Sequence, residues 1–144
     1  MPHKRTKKHP STFWFEGDIK EVAKENLFFR RAVYTGEHSQ LMLMSIPENG
    51  ELREEKREDT DKILFIVNGR AKSILNGRAR EVKKNDVIFV PAGNLHNLTN
   101  AGKHELKLIV IYSPPLYPDG AAYKTHKEET DVAVKALEHA WELE

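Results

Sequence analysis

The sequence contains no cysteine. This absence excludes disulfide bonds, thiolate catalysis and zinc or iron–sulfur sites with cysteine ligands. No stretch approaches the roughly eighteen apolar residues of a membrane span, so we expect no membrane partner. The sequence also has no large excess of positive or negative charge, because 23 Lys and Arg residues balance 22 Asp and Glu residues. Nucleic acid is therefore not expected as a partner. The polar, basic first nine residues predict no signal peptide, and we expect a cytoplasmic protein.

The two ends of the chain flank one predicted domain. At 144 residues the sequence has the length of a single domain. Residues 1–12 combine basic side chains with no apolar pattern, and we expect a disordered tail. Residues 18–26 predict one or two helical turns with Asp18 as the N-cap. Apolar residues at helical spacing predict a C-terminal helix over 128–144, preceded by a capping-box pattern at 125–128.

Between these ends the apolar residues follow the period of β-strands. Runs of strand length lie at 27–35, 39–46, 63–67, 70–75, 78–82, 87–90, 95–99 and 105–112. Gly36 and its polar neighbours separate the first two runs and predict a hairpin. Asn49-Gly50, Asn68-Gly69 and Asn76-Gly77 are each the strongest short-range signal for a tight hairpin turn. Many short strands at this spacing indicate an all-β sandwich or barrel.

Residues 87–100 contain the most specific motif of the sequence. A four-residue apolar run predicts a buried strand, and the proline and glycine that follow it predict a turn. Four residues fit the spacing P-x-G-x2-H-x3-N of the second cupin motif: Pro91, Gly93, His96 and Asn100. Asn85 replaces the glycine that begins this motif, and Asn is the residue that best tolerates positive φ after Gly. The chain therefore resembles a cupin. The resemblance implies a double-stranded β-helix, or jelly-roll barrel, over residues 13–127 with an N-terminal extension.

The same resemblance implies where a metal would be bound. The first cupin motif is G-x5-H-x-H-x3/4-E-x6-G, and its two His and one Glu hold a divalent metal together with the later His. Counted back from Gly69, the acidic position falls on Lys62 and the His pair falls on Glu55 and Arg57. A small bacterial cupin subfamily to which most of the chain is similar has His and Gln where this chain has Arg57 and Lys62. The candidate site residues are Glu55, Arg57, Lys62 and His96.

These side chains argue against a tightly held metal. Metal sites use lone pairs of imidazole, carboxylate or amide groups, whereas arginine has none and stays protonated. A cation about 4 Å from another costs roughly 4 kcal/mol at an effective dielectric of 20, and a divalent ion doubles this. We therefore expect no metal cofactor. Glu55, Asp61 and His96 are the residual ligands if one is retained.

Two interpretations of the site stay open. Strand alternation places Glu55 and Arg57 on one face, which looks into the barrel in a cupin. In one interpretation Glu55 pairs with Arg57 or Lys62, His96 bonds a neighbour, and a buried polar plug fills the barrel. In the other, Arg57, Lys62 and His96 form a cationic pocket for a small carboxylate or phosphate, with Arg57 as a bidentate clamp. A surface pair of Arg57 with an acidic neighbour would instead remove one charge from the pocket.

Three functions follow as hypotheses, and whether the protein is an enzyme stays open. The leading one is a metal-free cupin that binds a small anionic ligand in its barrel. The second is a metal-dependent cupin enzyme, a dioxygenase or sugar isomerase with residual ligands. The third is a structural or interaction protein with a plugged barrel. Cupins commonly dimerise through sheet edges, so we also expect a homodimer, with residues 41–44 and the aromatic N-terminal segment as candidate contact surfaces.

Overall fold

The structure, a computed structural model, describes residues 14–53 and 55–131 and confirms the all-β prediction. One helix, α1 (Ile19–Glu25), precedes the strands, and a second helical segment begins at residue 126 and is described to residue 131. The strands within the described ranges are β1 (Arg30–Thr35), β2 (Gln40–Ile46), β3 (Glu55–Lys56), β4 (Asp61–Asn68), β5 (Arg70–Leu75), β6 (Arg78–Lys83), β7 (Val87–Val90), β8 (Leu95–Asn100), β9 (Leu106–Ser113) and β10 (Ala122–Tyr123).

These strands form two antiparallel sheets with a jelly-roll connection. The six-stranded sheet has the order β10-β1-β2-β9-β4-β7, and the four-stranded sheet has the order β3-β8-β5-β6. The chain therefore crosses from one sheet to the other at each connection from β2 to β5 and again at each connection from β6 to β9. Neighbouring strands in space are thus often far apart in sequence, and residues distant along the chain meet between the sheets.

One apolar core lies between the sheets. Side chains of alternate residues on β2, β4 and β9 point into this core, and residues of β5 and β8 pack against them from the other sheet. The members of the core include Met42, Met44, Leu64, Ala71, Leu98, Leu108 and Val110. Burial of each large apolar side chain contributes about 1.5–3 kcal/mol. A second cluster, with Ala23, Val33, Leu43, Val67 and Ile109, lies on the outer face of the six-stranded sheet under α1. This sheet is therefore apolar on both faces over part of its area.

The predicted N-cap of α1 is confirmed. The Oδ1 atom of Asp18 accepts a hydrogen bond from the backbone N–H of Glu21 at 3.2 Å. The second helical segment begins as the capping pattern predicts, because Thr125 Oγ1 accepts from the N–H of Glu128 at 3.0 Å. The rest of the predicted C-terminal helix and the basic tail lie outside the described residues. In the described ranges no helix has both the length and the apolar content to span a bilayer.

One of the three predicted Asn-Gly hairpins is confirmed and two are wrong. Asn76-Gly77 joins the paired strands β5 and β6, with φ values of 48° and 82°. Asn68-Gly69 instead leads from the six-stranded to the four-stranded sheet, and Asn49-Gly50 also lies in a crossover between sheets. The pair signals positive φ, which a crossover uses as readily as a hairpin.

The backbone conformation of Gly69 in this crossover can be tested by substitution. Its φ is +103°, and an added Cβ would lie 3.2 Å from Leu106 Cδ1 and 3.3 Å from Leu106 Cα. Gly69→Ala is therefore expected to lower the free energy of unfolding by about 2 kcal/mol. Gly77→Ala is the control, since Gly77 has φ +82° with nothing within 4 Å of the added Cβ, and it should cost about 1 kcal/mol. Urea unfolding measures both. Equal losses would show that the crossover tolerates a side chain.

The predicted contact surface on residues 41–44 is wrong. Met42, Leu43 and Met44 are each 0% exposed, because β2 lies between β1 and β9 rather than at a sheet edge. The strand is apolar because it is buried on both faces. In the N-terminal segment, Trp14 is 57% exposed, and Phe13 lies outside the described residues.

Candidate functional site

The candidate site lies between the two sheets, where polar side chains interrupt the apolar core. On the six-stranded sheet, Gln40, Tyr112 and Lys62 are register partners on β2, β9 and β4 and form one row. On the four-stranded sheet, Glu55 of β3 is the register partner of His96 on β8. Gln40, Tyr112, Lys62 and His96 are each no more than 3% exposed. The barrel thus presents two facing rows of buried polar groups.

An ion pair joins the two rows. Lys62 Nζ donates a hydrogen bond to Glu55 Oε1 at 2.5 Å, and the two side chains are 4% and 18% exposed. Burial alone would raise the pKa of Glu55, but Lys62, Arg30 and Arg57 outweigh it and hold this pKa below its usual value. Burial lowers the pKa of Lys62, and its bond to Glu55 offsets only part of that effect. The carboxylate is therefore strongly held in its charged form.

Arg57 lies at the rim of this pair. Its Nη2 atom is 3.5 Å from Glu55 Oε2, and its side chain is 42% exposed. The neighbouring Lys56 points away and pairs with Glu58 at 3.3 Å on the surface. Strand alternation therefore places Glu55 and Arg57 on one side as predicted, and Arg57 faces both the site and solvent.

His96 is buried with half of its hydrogen-bonding capacity unused. Its Nε2 atom lies 3.3 Å from Ser73 Oγ. Its Nδ1 atom is buried and has no hydrogen-bond partner among the residues that the structure describes. Burial, and then the positive charge of Lys62, lower the pKa of His96 from 6.5 to about 4. The imidazole is therefore neutral at physiological pH. The structure thus brings together all four side chains that the motif spacing singled out.

Sequence reasoning missed Arg30, a buried cation in the same region. Arg30 is 1% exposed, its Nη1 donates to Tyr112 Oη at 2.5 Å, and its Nε donates to Glu129 Oε1 at 2.5 Å. Its Cζ lies 4.4 Å from the ring centroid of Tyr117. Burial opposes the charge, but the phenols and the Glu129 carboxylate hold the pKa of Arg30 above its usual value. Strand alternation was the signal in the sequence, because Arg30 and Ala32 are two residues apart on β1 and therefore point to the same, inward face.

Gln40 positions the segment that covers Arg30. Its Oε1 atom accepts hydrogen bonds from the N–H groups of Leu116 and Tyr117, at 3.1 and 3.0 Å. Its Nε2 atom donates to the carbonyl oxygen of Tyr117 at 2.8 Å. A single buried amide therefore fixes the backbone of this segment, and with it the ring of Tyr117 over the guanidinium.

The donor set does not fit the divalent metal that the family resemblance implies. Within 14–53 and 55–131 there is no group of three or more His, Cys, Asp or Glu residues arranged to hold a metal ion. Asp61, the third residual ligand, accepts a hydrogen bond from the N–H of Ala92 at 2.8 Å, which ties it to the turn before β8. Three cations, Arg30, Arg57 and Lys62, share the region with two carboxylates. These positive charges oppose a divalent cation at this place, and arginine offers no lone pair to bind one.

Comparisons with known proteins agree with this fold. The sequence profile of the cupin domain family matches residues 42–112. The Bacillus subtilis protein YrkC is 37% identical over 118 residues, which cover 77% of this chain and 63% of YrkC, so the match spans less than two thirds of that relative. The crystal structure of BH2720 from Bacillus halodurans is 32% identical, with a TM-score of 0.82, over 88% of this chain and 99% of that chain. TT1209 from Thermus thermophilus, 20% identical with a TM-score of 0.62 over 69% and 96% of the two chains, shares the fold alone.

Proposed function

This chain belongs to the cupin family, and from that premise we propose that it is a metal-free cupin that binds a small anion in its barrel. The ligand is a carboxylate or phosphate, bound by Arg57, Lys62 and His96. Because cupins perform many reactions on one fold, the family does not identify the ligand, and the proposal rests on the side chains of this site.

The unpaired Nδ1 atom of His96 is the observation that carries the proposal. An unsatisfied buried polar group costs about 1–3 kcal/mol. When the hydroxyl of Ser73 donates to Nε2, the neutral imidazole carries its proton on Nδ1 and offers a donor. An anion oxygen is the natural acceptor for this donor. The positive charge of Lys62, which lowers the pKa of the same imidazole, would also attract an anion.

The balance of charge supports the same ligand class. The three cations exceed the two carboxylates Glu55 and Glu129 by one charge. Arg57 is the cation least committed to a partner, because its 3.5 Å pair with Glu55 is long and its side chain is 42% exposed. A planar guanidinium binds carboxylate or phosphate in a bidentate geometry. Arg57 can therefore meet an anion that enters from solvent, and the buried Lys62 and His96 hold it deeper.

A second candidate function, the non-catalytic protein with a plugged barrel, is favoured by the Glu55–Lys62 pair. At 2.5 Å this pair already compensates two charges. In that case the polar groups serve packing and specificity within the chain, and no small molecule is bound. The two functions differ in whether an anion stabilises the folded protein.

Titration calorimetry with acetate, benzoate and inorganic phosphate tests the proposal. Arg57→Gln is expected to weaken binding of the preferred anion about tenfold, because it removes a charge-assisted hydrogen bond. Lys56→Gln is the control, since it removes an equal charge from the adjacent residue, which pairs with Glu58 on the surface. Binding should stay within about twofold of wild type in that variant. No binding of any of the three anions would favour the plugged barrel, and equal losses in both variants would show that Arg57 does not hold the anion.

The homodimer and the cytoplasmic location stay predictions. For the dimer we propose a different surface from the one that the sequence indicated. The edge strand β7 exposes Val87 and Phe89 by 61% and 54%. Unpaired apolar strand edges favour association with another strand.

A further inference from the structure

We propose that Arg30 binds the carboxylate group of the ligand and that Glu129 occupies this position in the structure as an internal competitor. This inference rests on the proposed function and deepens it, because it identifies the ligand as a monocarboxylic acid with an apolar carbon skeleton. Nothing in the cupin motifs or in the comparisons assigns a role to either residue.

The guanidinium of Arg30 belongs to the same site as the predicted residues. Tyr112, to which Arg30 donates a hydrogen bond, is the register neighbour of Lys62. Arg30 also acts electrostatically on both Glu55 and Lys62. An anion bound by Lys62 and His96 would therefore also be attracted by the positive charge of Arg30.

Glu129 reaches this guanidinium from outside the two sheets. It lies on the helical segment that begins at residue 126, 99 residues from Arg30 along the chain. Its side chain is 19% exposed, whereas that of Arg30 is 1% exposed. The cation thus belongs to the barrel interior, while the carboxylate comes from an element added after the last strand. Glu55, by contrast, is a barrel residue held by two cations, Lys62 and Arg57.

The Glu129 contact itself indicates the chemical class of the ligand. The Glu129 carboxylate accepts a charge-assisted hydrogen bond from Nε of Arg30, so the site accepts this group. Exchange of one monoanion for another leaves the buried charge unchanged, whereas a phosphate dianion adds a charge that burial disfavours.

The surroundings of the guanidinium indicate the rest of the ligand. The rings of Tyr112 and Tyr117 lie 5.5 Å apart, and the ring of Tyr123 lies 6.4 Å from that of Tyr117. These rings form an aromatic wall beside the Arg30 guanidinium. Such a wall favours an apolar carbon skeleton attached to the carboxylate.

Calorimetric titration of the full chain with benzoate tests the inference. Glu129→Gln keeps the size and one acceptor oxygen of the side chain but removes the competing charge. It is expected to bind benzoate at least tenfold more tightly than wild type. The gain for inorganic phosphate should be less than threefold. Asp131→Asn is the control, because it removes a charge from the same helical segment at the exposed pair with Lys127, and it should change the affinity less than twofold.

The outcomes separate this inference from the proposed function. If wild type binds anions in an Arg57-dependent way and Glu129→Gln gives no gain, Glu129 is no competitor and only the proposed function stands. An equal gain in Asp131→Asn would assign the effect to general charge and overturn the inference. If Glu129→Gln does not fold, Glu129→Asp provides the same comparison, because the shorter side chain weakens the contact with Arg30 and should give a smaller gain.

Discussion

Replacing Glu55 with glutamine is expected to lower the free energy of unfolding by about 3 kcal/mol. The substitution leaves the Lys62 ammonium, whose side chain is 4% exposed, without its negative partner. Arg30 and Arg57 also disfavour the positive charge of Lys62, and Glu55 offsets their effect. Loss of one member of a buried ion pair costs far more than the pair itself contributes, because a buried charge remains uncompensated. Urea unfolding with an unchanged m-value measures the loss.

The double variant Glu55→Gln with Lys62→Met is the informative companion. It removes both charges, and we expect its stability to lie within about 1 kcal/mol of wild type. At the exposed pair of Lys127 and Asp131, Asp131→Asn should change stability by less than about 0.5 kcal/mol. If Glu55→Gln alone cost less than about 1 kcal/mol, Lys62 would have another way to compensate its charge.

Acidification is expected to destabilise the protein through His96. The pKa of His96 falls from 6.5 to about 4 on folding, first because of burial and then because of Lys62. The unfolded chain therefore binds the proton more readily, and protonation favours unfolding. The contribution of neutral His96 is complete above pH 6.5 and is lost as the pH falls toward 4. Between pH 8 and pH 5 this loss amounts to about 2 kcal/mol, and it reaches about 3 kcal/mol at pH 4.

Urea unfolding of wild type and His96→Gln over this pH range tests the effect. The variant should lose about 2 kcal/mol less than wild type between pH 8 and pH 5. The same substitution at His38, whose side chain is 89% exposed, should leave the wild-type profile unchanged. Parallel profiles for wild type and His96→Gln would mean that His96 is not held neutral by the fold.

Both effects arise because ionisable groups are buried beside the apolar core of the barrel. A buried polar cluster of this kind is stable only when its members compensate each other. In this protein Glu55 compensates the charge of Lys62, and Glu129 compensates that of Arg30. Nδ1 of His96 has no hydrogen-bond partner among the residues that the structure describes. A small anion would complete the cluster, which connects the expected stability changes to the proposed binding function.

Most strands could be predicted because their signals are local. The bounds of β5 and β7 agree with the sequence pattern. The prediction that residues 87–90 form a buried strand is wrong, because β7 lies at the edge of its sheet and exposes Val87 and Phe89. Asn85 adopts a φ of 76°, as expected for the residue that replaces the motif glycine. The Asn68-Gly69 prediction failed because positive φ is a property of one residue, whereas strand pairing depends on which sheet the chain enters next.

The candidate site could be predicted only in part. Motif spacing identified Glu55, Arg57, Lys62 and His96, since its fixed spacings place these residues at or next to β3, β4 and β8, which face each other across the two sheets. Arg30 and Glu129 lie outside the motifs, on β1 and on the helical segment after β10. Their contact depends on sheet order and on the position of that segment, and neither has a local signal in the sequence.

The sequence by itself determined which chemical groups the site contains: cations at positions where a cupin normally offers lone pairs, and no cysteine anywhere. This follows from side-chain chemistry, which is the same in any fold. Only the tertiary structure decided which charges compensate each other, Lys62 with Glu55 across the sheets and Arg30 with Glu129 across 99 residues. The physical reason is that ion pairing and pKa depend on distance and burial, and both are set by the register of the strands and the crossovers between the two sheets.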